Sequence, residues 1–197
     1  MIISILIGFI VFVFSTSALC QSFAIIGDAG VNNKYQEMTR ISILNSNVKN
    51  LILPGDNIYD LSKTYKEVWG NWLDNDFDFY VAIGNHTHSY EEEIDFFKIP
   101  GEFYTFKKGA ATFIVLNSDN KENVSVQLRF LEKNIISHKK GHLFVIDQHP
   151  PVTLSQRHGW TERRELLSGV KRILFKYQPK ISGVISGHDH FASLATM

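Results

Sequence analysis

Short apolar runs alternate with amphipathic stretches from residue 22 to the end of the chain. The runs are rich in β-branched and aromatic residues, and most of them end at a glycine followed by a polar residue, which is typical of buried strands. We predict single strands over residues 22–28, 50–56, 78–85, 142–149 and 181–186. The segment 103–118 is predicted as a hairpin that turns at Lys108-Gly109.

The stretches between these runs have a helical period, with apolar residues three and four positions apart. We predict helices over residues 33–48, 62–74, 90–97, 124–138 and 162–177. The first is expected to bury Tyr35, Met38, Ile41 and Leu44. The fourth is expected to bury Val126, Phe130, Leu131 and Ile135. Strand–helix alternation predicts an α/β fold with a largely parallel sheet.

The first 20 residues have a different character. An unbroken apolar run, IISILIGFIVFVF, is followed by the small residues STSALC. The run is shorter than the roughly 20 residues that span a bilayer, so we predict a signal peptide over residues 1–20 and a secreted mature domain over 21–197. An uncleaved N-terminal anchor is the alternative. Cys20 is the only cysteine, so the predicted mature chain contains no disulfide.

Length and charge limit the number of domains and the classes of partner that the sequence indicates. The chain has 197 residues, which suits one domain, and its 20 basic and 20 acidic side chains give a formal net charge of zero. No block of basic residues interrupts this balance. The sequence therefore does not indicate a nucleic-acid partner, and an acidic substrate would have to be attracted locally.

Polar residues that can bind a metal stand at the ends of five predicted strands: Asp28, Asp56, Asn85, His149 and His188. Ligands of open α/β sheets bind beyond the carboxyl ends of the strands. Taken singly, each Gly-Asp or Gly-Asn is an ordinary turn former. Five successive strand ends of this kind favour a metal site, and His188 and His190 are spaced so that both could face it.

Five ordered blocks carry a family resemblance: GDAG at 27–30, GDNIY at 55–59, GNH at 84–86, the strand end at His149, and GHDH at 187–190. Together they resemble the calcineurin-like metallophosphoesterases, and within them the purple acid phosphatases of the tartrate-resistant type. The resemblance covers the chain after residue 20. It implies a four-layer αββα sandwich, and because relatives continue with further strands after GHxH, we expect the C-terminal strands to be missing here.

Two positions select the subgroup within this resemblance. Most metallophosphoesterases have a histidine two residues after the first aspartate, where this chain has Gly30. Purple acid phosphatases supply a phenolate instead, three residues after the second aspartate, and Tyr59 stands there. A phenolate with two carboxylates suits a trivalent ion that prefers oxygen ligands.

The resemblance implies a dinuclear centre with seven ligands. It assigns Asp28, Tyr59 and His190 to Fe³⁺, Asn85, His149 and His188 to a divalent Fe, Zn or Mn ion, and Asp56 as the bridge between the two. A metal-held hydroxide would then attack phosphorus. His86 is expected to reach the phosphate or the leaving group, and His158 to be the other catalytic histidine. Thr87 stands where the family usually has an acidic residue.

The resulting expectation is a secreted acid phosphatase that hydrolyses phosphate monoesters, acting as a monomer on a small phosphate ester or a phosphoprotein. No nucleic acid and no stable membrane association are expected after signal cleavage. A phosphodiesterase or diphosphatase of the same superfamily is one alternative. A truncated, non-catalytic secreted scaffold is another.

Overall fold

The chain is described by a computed structural model that covers the backbone of residues 10–12 and all of residues 21–153, 155 and 163–190. Within these residues eight strands form two four-stranded sheets, and helices connect most of them. The described part contains no helix that is both long and apolar enough to cross a membrane.

The first sheet has the strand order β1-β2-β3-β4. Its strands are β1 (Ile10–Phe12), β2 (Phe23–Ile25), β3 (Asn50–Leu53) and β4 (Asp78–Val81). Strands β2, β3 and β4 are parallel, whereas β1 pairs antiparallel with β2. Helices α1 (Lys34–Asn45) and α2 (Tyr65–Leu73) make the two crossovers, and α3 (Tyr90–Phe97) follows β4.

The strand β1 lies inside the segment predicted to be a signal peptide. Removal of that segment would leave β2 as the edge strand of the first sheet, because β1 is its only partner on that side in the described chain.

The second sheet has the order β5-β6-β7-β8. Its strands are β5 (Tyr104–Lys108), β6 (Ala111–Val115), β7 (His142–Ile146) and β8 (Gly183–Ile185). The predicted hairpin is present as β5 and β6, with Gly109 in the left-handed conformation at φ 56° in the turn. The remaining strands are parallel and are connected by α4 (Val124–Ser137) and α5 (Arg164–Lys176).

Aromatic side chains fill the space between the two sheets. Tyr80 stacks on Phe106 at a centroid distance of 3.8 Å, and Phe106 stacks on Phe113 at 4.5 Å. Helix α2 buries Trp69 and Trp72 in the same cluster, while α4 and α5 pack against the other face of the second sheet. Two facing sheets with helices on their outer faces confirm the predicted α/β sandwich.

Helix α1 does not bury the face that its apolar residues predicted. Tyr35, Met38 and Ile41 are 64%, 54% and 46% exposed, whereas Gln36 and Ile43 are buried. The Gln36 amide donates a hydrogen bond of 2.7 Å to the carbonyl of Ala29, in the loop after β2. The prediction was wrong because this polar contact, together with Ile43, fixes the rotation of the helix.

Helix α4 departs from its predicted face in the same way. Val126 is exposed, and Gln127 is buried in its place. The Gln127 amide bonds both the N–H and the carbonyl of Asn117 at 3.0 and 2.8 Å, so it satisfies backbone groups at the end of β6. The predicted burial of Leu131 and Ile135 is confirmed, and Phe130 packs partly buried against the same cluster.

Candidate metal centre

Two aspartates in the loops that follow the carboxyl ends of β2 and β3 have an unusual backbone conformation. Asp28 has φ 55° and Asp56 has φ 52°, in the left-handed region that non-glycine residues adopt rarely and that concentrates at functional sites. The two loops bond each other, since the Gly30 N–H donates to the Asp56 carbonyl at 3.1 Å. Both carboxylates are thereby turned toward the same edge of the first sheet.

Gly30 packs tightly against the loop that carries Tyr59. A Cβ atom at position 30 would collide with the backbone of Asn57 and Ile58, so no side chain fits there without a shift of that loop. The carbonyl of Gly30 accepts a 2.9 Å hydrogen bond from the N–H of Tyr59. Close packing at Gly30 therefore excludes a histidine ligand at this position and places Tyr59 beside the two aspartates.

The side chains of Asp28, Asp56, Tyr59 and His190 converge. One ligand atom from each of Asp28, Asp56 and His190 lies within 4.8 Å of the others. The Tyr59 hydroxyl lies 3.1 Å from Asp56 Oδ2 and 2.8 Å from His190 Nε2. Oxygen atoms from two carboxylates and a phenol, with one imidazole nitrogen, are a donor set that fits a hard metal ion.

The negative charge of the two aspartates also favours a bound metal ion. Burial and the nearby charge of Asp56 raise the pKa of Asp28, although hydrogen bonds from the backbone N–H of His188 and from Gln148 oppose this. The His188 N–H lies 2.9 Å from both carboxylate oxygens of Asp28. The same surroundings raise the pKa of the Tyr59 phenol. A bound cation would offset the repulsion that the fold builds into this cluster.

His149 and His188 form a second group beside the first. Their ring centroids are 4.3 Å apart, and His188 also has a left-handed backbone, at φ 70°. The Ser118 hydroxyl lies 2.8 Å from Nδ1 of His149 and accepts a hydrogen bond from the His149 N–H at 2.9 Å. A partner at Nδ1 orients the ring and leaves Nε2 as the atom suited to a metal.

The loop after β4 brings His86 to the same edge. The backbone N–H of His86 donates to Asp56 Oδ1 at 3.1 Å, and its ring centroid lies 4.5 Å from that of Tyr59. Asn85 precedes it and is exposed. Gly84 passes so close to Asp56 that a Cβ atom there would collide with its backbone and carboxylate.

The structure thus groups Asp28, Asp56, Tyr59 and His190, places His149 beside His188, and sets the loop of Asn85 and His86 against Asp56. Their roles as ligands or catalysts stay predictions. His158 lies outside the described residues. Thr87 donates from its hydroxyl to the carbonyl of Ser89 and lies 3.0 Å from the Tyr65 hydroxyl.

Sequence reasoning missed three polar side chains that support this edge: Asn57, Glu93 and Gln148. All three are buried. Gln148 donates to Asp28 at 3.3 Å, and Asn57 donates to Glu93 at 2.7 Å. Glu93 and Phe97 are the buried residues of α3. A glutamate four residues before a core phenylalanine was the available signal, because residues four apart share one helix face.

The family model described as calcineurin-like phosphoesterase matches residues 22–192. Among solved structures, GAP50, the anchor in the inner membrane complex of Plasmodium, is similar with a TM-score of 0.64 and 19% identity over 85% of this chain. This chain spans 65% of the length of that protein. No curated protein matches the sequence significantly.

A dimetal phosphatase from Danio rerio is similar with a TM-score of 0.62 and 15% identity, over 85% of this chain and 81% of that one. At such identities the two structures establish the shared fold, and the family model covers most of the sequence. The chain belongs to the calcineurin-like phosphoesterase family.

Proposed function

We propose that the protein is a dinuclear metal-dependent phosphatase of the purple acid phosphatase type that hydrolyses phosphate monoesters. The observation that carries the proposal is the cluster of Asp28, Asp56 and His190, whose ligand atoms lie within 4.8 Å of one another with the Tyr59 hydroxyl among them. Membership of the family supports the phosphoesterase chemistry. Tyr59, which stands beside a position closed to side chains, supports the purple acid phosphatase type.

Seven side chains would hold the metals in this proposal. Asp28, Tyr59 and His190 would bind Fe³⁺, Asp56 would bridge, and Asn85, His149 and His188 would bind a divalent Fe, Zn or Mn ion. When bound, the two ions supply positive charge for the phosphate oxygens and lower the pKa of a water that can attack phosphorus.

The protein's own groups prepare the site for this chemistry. The N–H groups of His188 and His86 hold the carboxylates of Asp28 and Asp56 in fixed orientations. The His86 ring lies against Tyr59, where it can reach a phosphate oxygen or the departing group. We assign proton donation to the leaving oxygen to His158, by resemblance to the family, since an imidazolium suits that role at acidic pH.

Secretion belongs to the same proposal, with residues 1–20 as a leader and the domain over 21–197 acting as a monomer on a small phosphate ester or a phosphoprotein. The competing functions are a phosphodiesterase or diphosphatase, which would use the same centre, and a non-catalytic scaffold. The similarity to a Plasmodium anchor protein makes the scaffold worth testing, because the fold alone does not separate the two.

The experiment measures metal content and hydrolysis on the same purified protein. We expect two metal ions per chain and turnover of p-nitrophenyl phosphate, with much slower turnover of bis-p-nitrophenyl phosphate. Asp56→Asn should lose both metals and turnover, by about 10²-fold or more in rate, because the bridging carboxylate would serve both ions. The control is Asp95→Asn, since the Asp95 side chain is 87% exposed on α3.

Each competing function predicts a different result. Faster hydrolysis of the diester would favour the phosphodiesterase. Two bound metals without hydrolysis of either substrate would favour the scaffold. Normal metal content and turnover in Asp56→Asn would contradict the bridging role and the proposed centre.

A further inference from the structure

Glu93 is a buried carboxylate outside the proposed ligand set. It lies on the inner face of α3 and is 0% exposed. Its Oε1 accepts a 2.7 Å hydrogen bond from the amide of Asn57, and its Oε2 accepts one of 2.8 Å from the hydroxyl of Tyr65. The Tyr65 hydroxyl in turn contacts the hydroxyl of Thr87. Donors from two different segments thus meet at one carboxylate, and a third segment lies beside one of them.

Two residues of this arrangement are neighbours of proposed site residues. Asn57 directly follows Asp56 in the loop after β3, and Thr87 directly follows His86 in the loop after β4. Tyr65 is the first residue of α2, and its hydroxyl lies 3.0 Å from the Thr87 hydroxyl. Glu93 therefore connects the loop that carries Asp56 and Tyr59, through Tyr65, to the loop that carries Asn85 and His86.

Asn57 is held from several sides at once. Its side-chain amide donates to Glu93 and also, at 3.1 Å, to the backbone carbonyl of Ala82. Its backbone carbonyl accepts a 2.7 Å hydrogen bond from the indole N–H of Trp69. Ala82, the residue after the end of β4, is thus linked to Asn57, the residue after Asp56. Loss of the Glu93 contact would remove one of the two hydrogen bonds that hold the Asn57 amide where the two loops meet.

Burial of a carboxylate costs free energy, because the charged group loses its contact with water. Burial raises the pKa of Glu93 to about 7, although the hydrogen bonds from Asn57 and Tyr65 lower it, and the charge of Asp56 acts in the same direction as burial. An apolar side chain of similar size would avoid this cost. A carboxylate in a fully buried position, at the junction of two site loops, points to a role that packing alone does not require.

We propose that Glu93 is a positioning residue of the metal centre, which holds the Asp56 loop and the His86 loop in the mutual arrangement that the ligands need. The inference rests on the proposed function, since it concerns the same centre. The two loops already meet at Asp56, whose Oδ1 accepts the hydrogen bond from the His86 N–H. A displacement of either loop therefore moves the proposed bridging carboxylate relative to its neighbours.

The test titrates metal-free protein with Mn²⁺ alone by calorimetry and records thermal unfolding of the same samples. Glu93→Ala should weaken Mn²⁺ binding by about 10-fold to 100-fold, the usual cost of losing a group that supports metal ligands. Glu93→Gln should recover most of that loss, because its amide oxygen still accepts from Asn57 and the Tyr65 hydroxyl can turn to accept from its NH₂.

A pair of tyrosine variants keeps the test decisive if Glu93→Ala does not fold. Tyr65→Phe removes one hydroxyl that bonds Glu93. Tyr104→Phe is the matched control, because its buried hydroxyl bonds only the N–H and carbonyl of Val81, at 2.9 and 3.0 Å, among the contacts of the described residues. Both should lower the melting temperature, and only Tyr65→Phe should weaken Mn²⁺ binding.

The outcomes separate this inference from the proposed function. Wild-type Mn²⁺ affinity in Glu93→Ala or Tyr65→Phe would overturn the positioning role while leaving the metal centre in place. So would an equal loss of affinity in Tyr65→Phe and Tyr104→Phe. Failure of the wild-type protein to bind Mn²⁺ would overturn the proposed function, and the positioning role with it.

Discussion

At the scale of single residues, unusual backbone conformations orient the side chains of the candidate metal centre. Asp28, Asp56, His188 and His190 all have positive φ, between 52° and 70°. Such conformations cost of order 1–3 kcal/mol each and persist only where surrounding contacts hold them. Here those contacts run between the candidate ligands themselves, for example from the His188 N–H to Asp28.

Tyr59 carries the distinction between the purple acid phosphatase type and the rest of the family. Loaded with iron, the wild-type protein should show a visible charge-transfer band, and Tyr59→Phe should remove it because the phenolate is the donor of that transition. Absorption spectroscopy after iron loading measures this directly. Tyr35→Phe is the control, since Tyr35 is 64% exposed on α1, and it should keep the band.

A colourless iron-loaded wild-type protein would contradict the purple type and would leave a phosphatase of another kind possible. A band that survives in Tyr59→Phe would assign the colour to another residue.

At the scale of elements, helix rotation is the feature that the sequence pattern predicted least well. Both α1 and α4 turn a glutamine toward the protein and an apolar residue toward solvent. In each helix the glutamine bonds backbone groups in the segment that follows a strand. Buried backbone groups need such partners, and the spacing of apolar residues does not predict them. The helices next to the site are therefore fixed partly by polar contacts with the strand ends.

Two isoleucines on α1 test this rotation with the same substitution. Ile43 is 1% exposed and Ile41 is 46% exposed. Ile43→Ala should lower the free energy of unfolding by about 2–5 kcal/mol, as for other buried isoleucines. Ile41→Ala should change it by about 0.5 kcal/mol or less, as for most surface substitutions. Urea denaturation of the two variants measures both, and a larger loss for Ile41→Ala would restore the face predicted from the sequence.

At the scale of the whole molecule, the site forms where the two sheets meet. The parallel strands of each sheet end at one edge, and contacts join those edges across the sandwich. Gln148, after β7, donates to Asp28, after β2, and the N–H of His188, after β8, bonds the same carboxylate at 2.9 Å. Aromatic packing between the sheets fixes their separation, so the distances between the two ligand groups follow from the core.

The sequence could predict the strand ends, because Asp28, Asp56 and His188 follow apolar runs directly and parallel strands share an edge. The strand pattern alone could not predict that the edges of two sheets would join, since that depends on long-range packing; only the family resemblance implied it. Nor did the sequence reveal Glu93, which lies in a run of three glutamates whose other members are exposed. A charged residue in such a run looks like a solvated helix face until its partners are known.

The central claim is that seven side chains from both sheets hold two metal ions around Asp56. Anomalous diffraction at the manganese edge, from crystals grown with Mn²⁺, tests it most directly. The account predicts two peaks about 3.5–4 Å apart, the spacing of two-metal sites. One should lie against Asp28, Tyr59 and His190, the other against Asn85, His149 and His188, with Asp56 contacting both. A single peak, or peaks that do not share Asp56, would contradict it.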